Sequence, residues 1–105
     1  MNKADAFRKA LLEAVDSGLQ VLGESVRNVI YHHVGQSASL RLEEIPEKLE
    51  EFHRALESIF GAGALVIEKL IAGKLYSHLD LKFEEHENWT LIDYVKDAKK
   101  VTRGH

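Results

Sequence analysis

The sequence predicts an all-α domain, a compact bundle of four to five helices around a central apolar helix. Apolar residues recur at intervals of three and four along most of the chain, which is typical of amphipathic helices. The sequence contains no internal repeat and no linker rich in Pro, Gly or Ser. A chain of 105 residues has room for one domain. We expect that domain to cover residues 1–98 and residues 99–105 to form a polar, frayed tail.

Two amphipathic helices are predicted in the first third of the chain. The first covers 3–22, and Gly18 lies within its apolar stripe, which predicts a close crossing with another helix. Gly23 has the position of a C-terminal cap. The second helix covers 24–35. Its expected apolar face contains Val26, Val29, Ile30, His33 and Val34.

The third and fourth predicted helices contain the most apolar segments. Pro46 fits the first turn of the third helix, where its missing amide hydrogen is not needed. A narrow apolar seam follows, formed by Ile45, Leu49, Phe52, Leu56, Ile59 and Phe60. The fourth helix, over 62–79, has apolar residues on almost every side, so we expect it at the centre of the fold.

The last third of the chain predicts one further helix. Residues 81–87 alternate in polarity and are compatible with a short extended piece. Thr90 is a candidate N-cap, with Asp93 three residues further on.

Composition excludes several classes of function. The chain has 14 Lys and Arg against 17 Asp and Glu, a net charge of −3, which disfavours nucleic-acid binding. The absence of Cys excludes disulfides, thiolate metal sites and thiol nucleophiles. Charged residues interrupt the apolar pattern of the first helix, so we expect neither a signal peptide nor a membrane span. These features predict a cytoplasmic protein.

Histidine and glutamate residues provide the only metal-site candidates. Glu50 and His53 form an ExxH pair, and Glu57 follows on the same flank of the third helix, as in di-metal helical bundles. Such a site needs a second ExxH, which the sequence lacks, so a solvated acidic face is the preferred interpretation. His32 and His33 are adjacent and point about 100° apart on a helix. We expect His33 to be a hydrogen-bonded, partly buried side chain, and we predict no bound metal or cofactor.

The FGAGA element, residues 60–64, has two interpretations. Its backbone amides at a helix N-terminus could hold an anion. It lacks the Lys-Ser/Thr ending of a P-loop and follows a helix rather than a strand. We therefore favour a tight connection, in which Gly61 takes a left-handed conformation and Gly63 keeps the next helix close to its neighbour. No sequence motif for hydrolase, zinc-protease or calcium chemistry occurs.

The chain resembles a family of small archaeal helical domains, proposed as output domains of sensory proteins. The resemblance covers residues 5–96, and its most specific part is the FGAGA element followed by an apolar helix ending in Leu75-Tyr76. Further matching residues are Leu22-Gly23, Ile30-Tyr31-His32-His33, Ile45-Pro46 and Ile67-Glu68-Lys69-Leu70-Ile71. The resemblance implies an all-helical fold and a cytoplasmic role in signalling, and it transfers no catalytic residues.

These observations predict a protein-interaction or regulatory module rather than an enzyme. The fourth helix needs neighbours on most sides, and the seam of the third helix resembles a coiled coil. We therefore expect a protein partner or self-association as a homodimer. The alternative is a helical domain that binds a small ligand or a metal, conceivably an enzyme that uses Glu50, His53 and Glu57.

Overall fold

The computed structural model describes residues 2–103 and confirms the all-α prediction. These residues form helices and no strand. The five α-helices are α1 (Lys3–Gln20), α2 (Glu24–Ser37), α3 (Leu49–Phe60), α4 (Ala64–His78) and α5 (Leu91–Arg103). Two short 3-10 helices, Leu42–Glu47 and Gly61–Gly63, lie on either side of α3. Within the described chain, no helix combines the length and the apolar character needed to cross a bilayer.

Helix α4 lies at the centre, as its apolar pattern predicts. Helices α1, α3 and α5 all pack on it. The closest approach is at Gly18, where an added Cβ would lie 2.7 Å from Ile71 Cγ1 and 3.0 Å from Ile71 Cα. The predicted close crossing at Gly18 is therefore confirmed. Because the two backbones meet there, any side chain larger than hydrogen would push α1 away from α4.

Helices α1 and α2 form a hairpin tied by a partly buried ionic group. Asp16 Oδ1 accepts hydrogen bonds from Arg27, whose Nη2 lies 2.7 Å away, and from the Tyr31 hydroxyl at 2.9 Å. Burial raises the pKa of Tyr31 above its usual range, and the bond to Asp16 raises it further. Gly23, with φ +101°, begins α2, so its predicted role as the C-cap of α1 is wrong.

The predicted apolar face of α2 is wrong in part. Ile30 and Val34 are buried, whereas Val26 and Val29 are exposed to solvent by 37% and 61%. Among the described elements, helix α2 packs mainly on α1 and α3. Since it has just two neighbours, part of its apolar surface faces solvent.

Pro46 belongs to the first 3-10 helix rather than to the first turn of α3. The Arg41 amide donates to Glu44 Oε1 at 2.9 Å, which satisfies a free donor at the start of this 3-10 helix. Ile45 is buried beneath it. The polar connection before α3 is thus more ordered than the sequence indicates.

An aromatic cluster anchors the connection between α4 and α5, where no strand forms. Phe83 packs against Tyr76 and Tyr94, with ring centroids 5.3 and 5.4 Å apart. Trp89 stacks on His86 at 3.8 Å and contacts Tyr94 edge-on. These rings hold residues 81–90 against the bundle in an irregular path, because side-chain packing replaces the pairing that a strand would need.

Helix α5 begins where predicted and ends later. The Thr90 amide donates to Asp93 Oδ2 at 2.9 Å, one half of a capping box. Helix α5 continues through Arg103, so residues 99–103 are helical where the sequence predicts the start of a polar, frayed tail. Lys99 of α5 lies over the Phe7 ring of α1, a cation–π contact. Gly104 and His105 lie outside the described residues.

Candidate functional site

A fully buried carboxylate, that of Glu68 in α4, contacts His53 of α3. Glu68 is fully buried, and its Oε2 lies 2.6 Å from His53 Nδ1. The second oxygen, Oε1, accepts the amide of Leu91, the first residue of α5, at 2.8 Å. Because a carboxylate only accepts hydrogen bonds, Nδ1 carries a proton that it donates to Glu68.

Glu68 therefore links three helices through one side chain. Its two oxygens satisfy a histidine on α3 and a free amide at the start of α5, and no buried side-chain polar atom of the described residues lacks a partner. A buried charge is tolerated when it is paired and hydrogen-bonded. The arrangement fixes how α3 and α5 dock on α4. Both carboxylate oxygens of Glu68 are used in these structural contacts.

Beside His53 lies a polar cleft between α3 and the start of α4, the α3–α4 cleft. Its volume is about 770 Å³, and its lining includes His53, Arg54, Glu57, Ser58, Asn88 and Thr90. The free His53 Nε2 lies 3.7 Å from Glu57 Oε2. A histidine held at Nδ1 by a buried carboxylate has a fixed orientation, as metal-binding and basic histidines do. This is the geometry that could support a ligand site.

The structure separates the three candidate residues of the sequence. His53 and Glu57 both line the α3–α4 cleft, whereas Glu50 turns to Arg54, with their charged atoms 3.7 Å apart on the surface of α3. Across residues 2–103, no three His, Asp or Glu side chains lie together as a metal site requires. Glu50 thus belongs to the predicted solvated acidic face, while His53 does not.

Sequence reasoning missed Glu68, although the pattern contained a signal. Glu68 follows Ala64 by four residues and precedes Ile71 by three, which places it on the stripe that is buried in α4. A charged residue in the middle of such a stripe requires a buried partner. The sequence leaves open which residue provides it, because His53 is distant in sequence.

A second histidine, His33, has a structural role. Its Nε2 lies 2.7 Å from Ser58 Oγ, and that hydroxyl donates to the carbonyl oxygen of Ala55 at 2.8 Å. Nε2 must therefore donate to Ser58 rather than accept its proton, which is the opposite of an activated serine. The prediction of a partly buried, hydrogen-bonded His33 is confirmed.

The FGAGA element forms the connection between α3 and α4. Gly61 has φ +55° and ψ −130°, a conformation that L-residues rarely adopt. The prediction for Gly63 is wrong: it has helical φ, and an added Cβ would make an ordinary 3.5 Å contact with Phe60. Gly61 alone thus carries the conformational requirement of the turn.

A second concave region, the α1 groove, lies at the opposite end of α4. Glu13 faces His78, the last residue of α4, with 3.8 Å between Oε2 and Nδ1. Helix α1 starts ten residues before Glu13, so about 15 Å of it extends past the end of α4. The groove beneath it has a volume of about 710 Å³. Its lining includes Ala4, Phe7 and Leu11 of α1, with Pro46, Leu79 and Lys99 opposite.

Comparison with known proteins gives no assignment, since no protein-family model, curated protein or solved structure matches this chain significantly. The resemblance to archaeal output domains stays a prediction.

Proposed function

We propose that this protein is a small, non-enzymatic interaction module that binds another protein through the α1 groove. The observation that carries the proposal is the concave surface between the start of α1, the first 3-10 helix, Leu79 and α5, which stays open because α4 ends at His78. An apolar concave surface on a small domain is commonly a protein-binding site. The resemblance to output domains supports a regulatory role in the cytoplasm.

Site-specific photo-crosslinking in the native cells tests this proposal. A photoreactive residue at the exposed groove position Ala4 should give one discrete protein adduct, and the same group at exposed Asn28 on α2 should not. The captured protein, once purified, should bind the parent chain and lose binding to a Leu79→Glu variant. Equal labelling from both positions, or none from Ala4, would overturn the proposal.

Self-association as a homodimer stays a prediction, although the central helix α4 does not require a second copy to cover it. The sequence indicated that α4 needed cover from a second copy, whereas α1, α3 and α5 cover it within one chain. Among the described residues, the large apolar side chains most exposed to solvent are Val66 of α4, Val29 of α2 and Val21, and these could still join two copies. A dimer linked to folding should melt at higher temperature as protein concentration rises. A melting temperature independent of dilution, with a mass of 11.9 kDa by light scattering, would exclude it.

The alternative is a small-ligand or metal site at the α3–α4 cleft, favoured by the orientation of His53. Zinc titration followed by calorimetry distinguishes the two proposals. The interaction module predicts no stoichiometric binding, because only His53 and Glu57 face each other there. Micromolar binding of one zinc equivalent that is lost in Glu57→Gln would support the alternative.

A further inference from the structure

We propose that the α1 groove binds an amphipathic helix whose flanks carry acidic side chains. This inference rests on the proposed function and names the chemistry of the partner. The length of the groove matches that of a short helix. Its floor follows α1 from Ala4 to Leu11, about two turns or 10 Å, and a helix that presents apolar residues at i, i+3 or i+4 and i+7 covers the same length.

The walls of the groove are separate elements rather than one continuous surface. Helices α1 and α5 both pack on α4, and within residues 2–103 they make little contact with each other. Pro46 of the first 3-10 helix and Leu79 after α4 close the remaining sides. A partner helix laid in this space would occupy the position that a further helix of the bundle would take.

The charges around the groove provide the second argument. Lys3 lies at the start of α1, at one end of the floor, and Lys99 lies on α5. In the part of the chain that the structure describes, neither lysine has a carboxylate within 4.0 Å. The Lys99 ammonium lies 5.7 Å from the centroid of the Phe7 ring, so its charge is held over the apolar floor. The groove thus offers positive charge beside an apolar strip.

The other charged groups of the groove do not cancel this pattern. Arg8 and Glu47 neutralise each other, with Nε and Oε2 3.0 Å apart, and Arg8 also donates to the Glu43 carbonyl. Asp5 lies in the first turn of α1, where its charge meets the positive end of the helix. The lining as a whole has an excess of positive charge, with Lys3, Arg8 and Lys99 against Asp5 and Glu47, and in a chain of net charge −3 this excess favours an acidic partner.

Matched peptides test the inference directly. Three fluorescent helical peptides of about 18 residues share one leucine face and differ only in flanks of Glu, Gln or Lys. We expect the Glu peptide to bind about tenfold more tightly than the Gln peptide, and the Lys peptide to bind weakest. The Lys3→Glu/Lys99→Glu variant should reverse this order. A Lys74→Glu/Lys82→Glu variant, with the same change of charge outside the groove, should preserve it.

The remaining outcomes distinguish the acidic-helix inference from the proposed function. Equal affinity for the three peptides, or an order unchanged in the Lys3→Glu/Lys99→Glu variant, would overturn the acidic-helix inference. The proposed function would survive that result if Ala4 still crosslinks to one protein. Failure of all peptides, with binding to vesicles of anionic phospholipid that the same variant abolishes, would identify a membrane surface instead. Circular dichroism verifies that both variants stay folded.

Discussion

The two ends of α4 differ in how their side chains are satisfied. Around Glu68, near the start of the helix, each buried polar atom has a partner within the chain and three helices enclose the site. Around Leu79, beyond the end of α4, helix α1 extends further than α4 does. An apolar groove lined by Lys3 and Lys99 lies beside this part of α1. The difference indicates that the first end stabilises the fold, whereas the second leaves the open surface on which the proposed function rests. If buried polar residues alone were considered, His53 and Glu68 would have been taken as the binding site and the α1 groove as part of the fold.

The largest expected effect is at Glu68. Glu68→Ala removes the partner of His53 and of the Leu91 amide, so we expect a loss of about 3 kcal/mol in the free energy of unfolding. Glu68→Gln keeps an acceptor oxygen for Leu91 and should lose less. The exposed Glu57→Ala should change stability by about 0.5 kcal/mol or less. Urea unfolding followed by circular dichroism measures all three. Equal stability of the Ala variant and the parent would contradict the structural role.

A smaller loss is expected where α1 crosses α4. Gly18→Ala places a Cβ against the Ile71 backbone, and we expect a loss of about 2 kcal/mol. Gly35→Ala is the matched control, since α2 leaves open space around that position. It should stabilise the protein by about 0.5 kcal/mol through helix propensity. If both variants lose stability equally, helix crossing is not the cause.

A still smaller loss of stability is expected for substitutions in the connection between α3 and α4. Gly61→Ala forces an L-residue into positive φ, at a cost of about 1 kcal/mol or more. Gly63→Ala, two residues away at helical φ, should be neutral or slightly stabilising. Thermal melting compares the two. A Gly61→Ala variant that melts with the parent would show that the backbone relaxes without strain.

The open end of α4 should show the smallest effect on stability. Lys99→Glu replaces an exposed side chain on the α1 groove, so the free energy of unfolding should change by about 0.5 kcal/mol or less. The same substitution should weaken binding of the Glu peptide. A loss of 2 kcal/mol or more would assign Lys99 to the fold and remove the contrast between the two ends.

The sequence predicts those features that depend on local spacing. The central position of α4, the close approach at Gly18 and the start of α5 beside Thr90 each follow from one run of residues. The exposure of Val26 and Val29 does not, because it depends on how many neighbours α2 finds. The late end of α5 does not either, because the residues after Ala98 are mostly polar and have no apolar period in the sequence.

The two candidate sites were predictable to different degrees. His53 and Glu57 were identified from their spacing on α3, and Glu68 had a local signal in its buried stripe. The pairing of His53 with Glu68 required the angle at which α3 meets α4. Nothing in the sequence predicts the α1 groove, because it arises from the relative lengths and the offset of α1 and α4.

Trp89, stacked on His86 and in contact with Tyr94, is the only tryptophan in the chain. Its fluorescence therefore reports on one place, the docking of α5 and the preceding connection. The change in Trp89 emission on denaturation will therefore report unfolding around the end of α4 that contains Glu68. A ligand in the α1 groove can bind without altering that emission, so a fluorescence assay based on Trp89 alone would miss it. A probe on α1 is needed to detect such binding optically.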